Sequence, residues 1–278
     1  MKIELASKYG FCYGVKRAIE IAEKHQNSFT YGPLIHNKDE INRLKEGFNI
    51  GLVEKIEDIK NDNAVVIRTH GIPKDELAVL KEQENQIIDA TCPYVTTPQN
   101  IVKRMSAEGY SIVIFGDKEH PEIKGVVSYA EKQNDAFIVL DKEELKELPL
   151  KSKVALVSQT TKKPEDFLEV VNALILTQKE VRVFNTICNA TFENQDAAAE
   201  LSIKADIMIV IGGKHSSNTK MLHSISQKDC PDSYLIENEE ELEAEWFKDK
   251  KLCGISAGAS TPDWIVQNVI NAIQKLND

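Results

Sequence analysis

The sequence has no run approaching the roughly 18 apolar residues of a membrane-spanning helix. Its five cysteines include no Cys-x-x-Cys pair, which removes the main support for a zinc ribbon or a thioredoxin-like site. Basic residues are in deficit: 34 Lys and Arg against 44 Asp and Glu leave a net charge of −10. That sign argues against nonspecific nucleic-acid binding, but leaves room for a local pocket that takes an anionic metabolite. No segment is low in complexity, and the opening Met1-Lys2-Ile3-Glu4-Leu5 lacks the apolar core and cleavage site of a signal peptide. The cytoplasm is the expected compartment. Scattered cysteines there are thiols, metal ligands or core residues rather than disulfides.

What is present is a chain of 278 residues, 42% hydrophobic and 28% charged, the balance of a globular protein with room for one large domain or for two or three small ones. It repeats itself three times. A strand-like run ends in a loop carrying a cysteine, followed by a helical stretch, at Ala6 to Cys12, at Ile87 to Cys92 and at Val183 to Cys188. Helical periodicity follows, with Val15, Ile19 and Ala22 in the first copy and Ile101, Val102 and Met105 in the second. Each copy continues with a strand and a polar turn opening on glycine: Gly32 to Lys38, Gly116 to Glu122 and Gly212 to Asn218. An acidic stretch predicted to be helical comes next (Glu54 to Lys60, Asp141 to Glu147, Glu237 to Glu245). It leads to an apolar strand and a last turn: Arg68 to Pro73, Ser158 to Pro164 and Ser256 to Pro262. Proline beside carboxylates at the close of each last turn starts a helix.

The reading is therefore three similar α/β lobes with mainly parallel sheets, in pseudo-threefold arrangement about a common centre. Their expected bounds are 14–93, 94–185, and 186–278 together with 1–13, the first strand joining the last lobe.

Ligands of open parallel sheets bind beyond the carboxyl ends of the strands, where the repeat puts its polar residues. About a pseudo-threefold axis Cys12, Cys92 and Cys188 converge. Three thiolates from distant positions suit a cubane iron–sulfur cluster whose fourth iron stays open; zinc on three cysteines is the alternative. Cys230 and Cys253 have no repeat equivalence and read as bystanders. His36, His70 and His120, at strand ends, suggest an anion cradle, with Ser216, Ser217, Asn218 and Ser260 as neutral donors or helix caps. His25 and His223 read as surface residues, and His215 is left open. Glu122 is the natural acid, since a carboxyl beside an anion costs energy unless protonated, or else a first-turn helix charge. Thr160 bonds it, relays a proton, or caps a helix.

In this order, the motifs Gly10-Phe11-Cys12-Tyr13-Gly14-Val15, Gly32-Pro33-Leu34-Ile35-His36-Asn37, Arg68-Thr69-His70-Gly71, Ala90-Thr91-Cys92-Pro93, His120-Pro121-Glu122, Gln159-Thr160-Thr161, Ser216-Ser217-Asn218 and Ala257-Gly258-Ala259-Ser260 span nearly the whole chain. They resemble the 4-hydroxy-3-methylbut-2-enyl diphosphate reductase family of the methylerythritol phosphate route to isoprenoids. The resemblance implies an oxidoreductase with a 4Fe-4S cluster on Cys12, Cys92 and Cys188. The allylic hydroxyl of a small diphosphate would meet the open iron, and two electrons from a ferredoxin or flavodoxin would yield isopentenyl and dimethylallyl diphosphate. Glu122 would donate the proton, assisted by Thr160. His36, His70, His120, Thr160, Ser216, Ser217, Asn218 and Ser260 would hold the substrate. No nucleic acid or membrane is expected as a partner. Thr69, where serine is common, and Asn189 after Cys188 depart from the family pattern without touching a residue given a role. A cluster-dependent dehydratase would need no electron donor, and an iron–sulfur sensor would need no donor-rich pocket.

Overall fold

The computed structural model describes residues 1–35, 37–60 and 63–277. In chain order its elements are β1 (Lys2–Leu5), α1 (Tyr13–Lys24), β2 (Phe29–Tyr31), α2 (Lys38–Phe48), β3 (Gly51–Val53), β4 (Ala64–Ile67), α3 (Lys74–Glu82), β5 (Gln86–Asp89), α4 (Pro93–Ala107), β6 (Ser111–Phe115), α5 (Pro121–Val127), β7 (Ala136–Val139), β8 (Lys153–Ser158), α6 (Pro164–Thr177), β9 (Glu180–Val183), α7 (Asn189–Ser202), β10 (Ile207–Ile211), α8 (Ser217–Asp229), β11 (Ser233–Ile236), β12 (Leu252–Ala257) and α9 (Asp263–Asn277). Among the described residues no helix is long and apolar enough to cross a membrane.

The strands form three four-stranded parallel sheets, ordered β3-β2-β4-β5, β7-β6-β8-β9 and β11-β10-β12-β1. The topology is the same in all three: first strand inside, second at one edge, third beside the first, and the strand that leads to the repeat cysteine at the other edge. The third sheet reaches its last strand by going back to the N-terminus, with Lys2 opposite Leu252 and Leu5 opposite Ile255. The sequence reading that joins the first strand to the last lobe agrees with this pairing.

Tertiary contacts divide the chain into two compact units. One unit holds 1–16, 35–47 and 189–278, with the β11-β10-β12-β1 sheet. Strand β10 is wholly apolar and buried, as a strand covered on both faces must be. Ile207, Ile209 and Ile211 pack with Ile265, Val266, Val269 and Ile273 of α9. On the opposite face Met208 packs against Ala197 and Leu201 of α7, and Val210 against Ala198 and Leu222. Helix α2 belongs to this unit. Asn37 Oδ1 accepts the Glu40 amide (2.9 Å) at its start, and Trp264 Nε1 of α9 donates to the buried Glu40 carboxylate (2.8 Å).

The other unit holds 17–34 and 48–188, with the two remaining sheets. Strand β6 is again fully buried. Ile112 and Ile114 pack with Val102, Met105, Ile123 and Val126 of α4 and α5, and Phe115 meets Phe167 of α6 across 6.2 Å between ring centres. The smaller β3-β2-β4-β5 sheet buries Val65 and Ile67 with Ile59, Ile72 and Leu80.

One expectation is corrected. The acidic stretches before each third strand are not α-helices. Their described regular parts are short 3-10 turns at Ile56–Asp58, Glu143–Glu147, Glu239–Glu241 and Ala244–Phe247. Their acidic residues supply few apolar positions with which to bury a helical face, and so short a helix gains little from its own hydrogen bonds.

Candidate active site

Each of the three repeat cysteines immediately precedes a helix: Cys12 before α1, Cys92 before α4 and Cys188 before α7. Each is tied to the last turn of its own lobe by one backbone hydrogen bond. The Cys12 amide donates to the Ala259 carbonyl (3.1 Å), the Cys92 amide to Thr69 (2.9 Å) and the Cys188 amide to Thr160 (2.8 Å). These bonds extend the ladder between the edge strand and its neighbour beyond the regular strands. The Ala90 amide reaches Ile67 before Cys92 reaches Thr69, and the Phe184 amide reaches Leu156 before Cys188 reaches Thr160. In the third lobe the Ala6 amide reaches Ile255 and Gly10 reaches Ala257, so two extra residues are taken up on the edge side. Gly10 absorbs them at φ +70°, a conformation that side chains resist.

All three of these cysteines are partly exposed, and no disulfide joins the five. Helix starts favour anions, and thiolate is the form that binds iron. Cys230 and Cys253 are buried, and burial pushes the Cys253 thiol up to about 12. That separates inert core thiols from candidate ligands, as the repeat does.

In the unit that contains Cys92 and Cys188, Glu122 is 1% exposed at the start of α5. His120 caps that helix, its Nδ1 accepting the Glu122 amide (3.2 Å). Thr160 binds both carboxyl oxygens: its amide donates to Oε1 and its hydroxyl to Oε2, each at 2.7 Å. Burial drives the Glu122 pKa up to about 7, against the opposing pull of the two Thr160 bonds. Thr160 therefore joins the acid through its side chain to Cys188 through its carbonyl. The rings of His70 and His120 meet edge to face at 5.3 Å, which brings two of the expected cradle histidines together.

The unit that contains Cys12 also holds the serine-rich turn. Ser216 caps α8, its hydroxyl accepting the Thr219 amide (3.3 Å). Among the described residues, both polar atoms of the Asn218 amide are buried without a hydrogen-bond partner, as are Thr219 Oγ1 and Ser256 Oγ. A native fold seldom leaves such groups unpaired unless a ligand or water meets them. Ser217 is exposed, and Ser260 is half-buried in the turn between β12 and α9.

His36 lies outside the described residues. His25 and His223 are half-buried rather than plainly on the surface, each with a ring nitrogen on a backbone carbonyl, Ile21 at 2.8 Å and Ser233 at 2.9 Å. His215 is exposed. Among the described residues no three His, Cys, Asp or Glu side chains converge as ligands of a single metal ion. One participant was passed over in the sequence: Thr69, the repeat counterpart of Thr160, donates its hydroxyl to the Leu34 carbonyl (3.1 Å). Superposing the three last turns would have found it.

Three parallel sheets of one topology, cysteines at matched helix starts and a buried acid held near neutrality define an α/β enzyme of three lobes. The chain belongs to the LytB family, whose model, described as LytB protein, matches residues 3–274. A 4-hydroxy-3-methylbut-2-enyl diphosphate reductase of Sulfurovum sp. (strain NBC37-1) is 77% identical over 276 residues, covering 99% of this chain and all of that one. The enzyme of the same name from Campylobacter fetus is 60% identical, covering 99% and 98%. Two solved structures share the fold. One is described as (E)-4-hydroxy-3-methyl-but-2-enyl diphosphate reductase, the terminal enzyme of the non-mevalonate pathway; it has TM-score 0.79 and 43% identity, over 98% of this chain and 99% of that chain. The reductase of Plasmodium falciparum has TM-score 0.85 at 27% identity, over 97% and 86%.

Proposed function

We propose that this chain reduces 4-hydroxy-3-methylbut-2-enyl diphosphate to isopentenyl and dimethylallyl diphosphate, the last step of the non-mevalonate route. The allylic C–O bond breaks, and two electrons and two protons are consumed. One proton leaves with the oxygen as water, and the other goes to an allylic carbon. The observation that carries this reading is the Glu122–Thr160 pair. A carboxyl group whose pKa is raised to about 7 is a competent proton donor at neutral pH. When protonated, it gives a hydrogen bond to the Thr160 hydroxyl, whose own hydrogen is then released to turn toward a substrate.

Cys12, Cys92 and Cys188 fit a 4Fe-4S cluster, and they would hold it. They stand at one repeated backbone position, partly exposed and at helix starts. Each thiolate of a cubane serves a different iron, so the set need not meet at one ion. The shared cluster rests on the threefold repeat of the sequence, in which each lobe supplies one cysteine. When bound it supplies electrons singly and an iron without a protein ligand. The lobe bounds remain 14–93, 94–185 and 186–278 with 1–13. A ferredoxin or flavodoxin is the proposed electron donor. The cytoplasm, a reducing compartment, suits thiolate ligands.

The diphosphate is assigned to Ser216, Ser217, Asn218 and Ser260 with His36, His70 and His120. Support comes from the unsatisfied Asn218 amide at the start of a helix of 13 residues, where backbone amides favour phosphate oxygens. The test is turnover by anaerobically purified protein. Conversion of the allylic diphosphate only when a reductant is supplied supports the reading. Dehydration without reductant, or no conversion by iron-loaded protein, overturns it.

A further inference from the structure

Thr69 stands in the first lobe where Thr160 stands in the second. Each carbonyl accepts the amide of a repeat cysteine, Cys92 at 2.9 Å and Cys188 at 2.8 Å. Each hydroxyl reaches back to the segment that follows the first strand of the same sheet. Thr160 finds the Glu122 carboxyl there, and Thr69 finds the Leu34 carbonyl. The third lobe repeats the reach in a shorter form, with Thr261 Oγ1 donating to the Ile211 carbonyl at the end of β10 (3.1 Å).

The Thr69 bond is sealed from water, with Thr69 6% exposed and Leu34 fully buried. A hydroxyl in such a place contributes more than on a surface, because its loss leaves a buried carbonyl without a partner. A second contact joins the same two turns. The Arg68 guanidinium lies against Gly32, where an added Cβ would collide with Nη1. Arg68 Nε also donates to the Gly71 carbonyl (3.4 Å).

We infer that Thr69 is a positioning residue: its hydroxyl fixes the turn at Gly32–Leu34 to the residue that anchors Cys92 and precedes His70. The turn at Gly32–Leu34 and the turn that carries His70 are thereby held at one spacing from that cysteine. The inference deepens the substrate assignment proposed above and rests on it.

The test compares T69V, which loses the hydroxyl at nearly constant shape, with T69S, which keeps it, in anaerobically purified holoenzyme. Amide hydrogen exchange of 32–35 in T69V should quicken about tenfold, as loss of one buried hydrogen bond implies. KM for the allylic diphosphate should rise about fivefold to tenfold, with kcat within about twofold of wild type and iron content unchanged. T69S should restore both. If T69V does not fold, T69A takes its place with the same expectations. Unchanged exchange or unchanged KM in the hydroxyl-free variant overturns the inference, as does T69S performing no better. A wild-type enzyme that fails to reduce the substrate sinks the functional reading instead, and the exchange comparison still decides the role of Thr69.

Discussion

Thr160 grips Glu122 by both of its donors, amide to Oε1 and hydroxyl to Oε2, each at 2.7 Å. The carboxyl is thus oriented as a unit while burial keeps its proton near neutrality. Replacing Glu122 with Gln keeps shape and removes the proton. Iron content and substrate KM should stay close to wild type, while kcat falls about 100-fold or more, the usual share of a general acid. Near-normal kcat in E122Q would remove Glu122 from the mechanism.

The direction of the pH dependence follows from the sign of the shift. A carboxyl raised from 4.5 to about 7 is protonated below that value. Proton donation should therefore be strong below pH 7 and decline as pH rises through it. The two Thr160 bonds favour the charged form and oppose the rise, so T160V, lacking the hydroxyl bond, should move the decline to higher pH as well as lower kcat. A profile of kcat against pH for both proteins checks this, and a decline moved to lower pH would contradict it.

Among the described residues the Asn218 amide has no partner for either polar atom. If the diphosphate provides one, N218A should raise KM about tenfold or more, the cost of a hydrogen bond to a charged group. It should weaken competitive inhibition by inorganic diphosphate in parallel. Thermal stability should hardly change, since an unpaired amide stabilises nothing in the ligand-free fold.

Glu40 is buried and accepts three hydrogen bonds: from Arg43 Nε (2.8 Å), from Arg43 Nη2 (2.6 Å) and from Trp264 Nε1 (2.8 Å). E40Q replaces an acceptor oxygen with a donor and removes the negative charge that faces Arg43. A loss of about 1–3 kcal/mol in urea unfolding is expected. An unaltered midpoint would mean that α2 is not held by this contact.

The repeat made most of the architecture legible. Wholly apolar runs such as Ile207 to Ile211, short and rich in isoleucine and valine, read as strands covered on both faces, and the cysteine spacing marked one position in three copies. The acidic stretches misled because charge and helix propensity are local, whereas a helix survives by burying a face. The attachment of α2 to α9 through Glu40 and Trp264 was out of reach, since these residues are separated by 224 positions and neither belongs to a motif. Thr69 was passed over for a different reason. Superposing the last turns would have matched it to Thr160, but its hydroxyl bonds a backbone carbonyl, and that partner carries no sequence signature.

The central claim is that Cys12, Cys92 and Cys188 are one ligand set, and iron and acid-labile sulfide counted per chain after anaerobic purification test it most directly. About four of each are expected in the wild type, as a cubane requires. Marked loss is expected when any one of the three is changed to serine, and full retention in C230S and C253A. Colourless, zinc-loaded wild-type protein, or a cluster that survives the loss of all three cysteines, would contradict it.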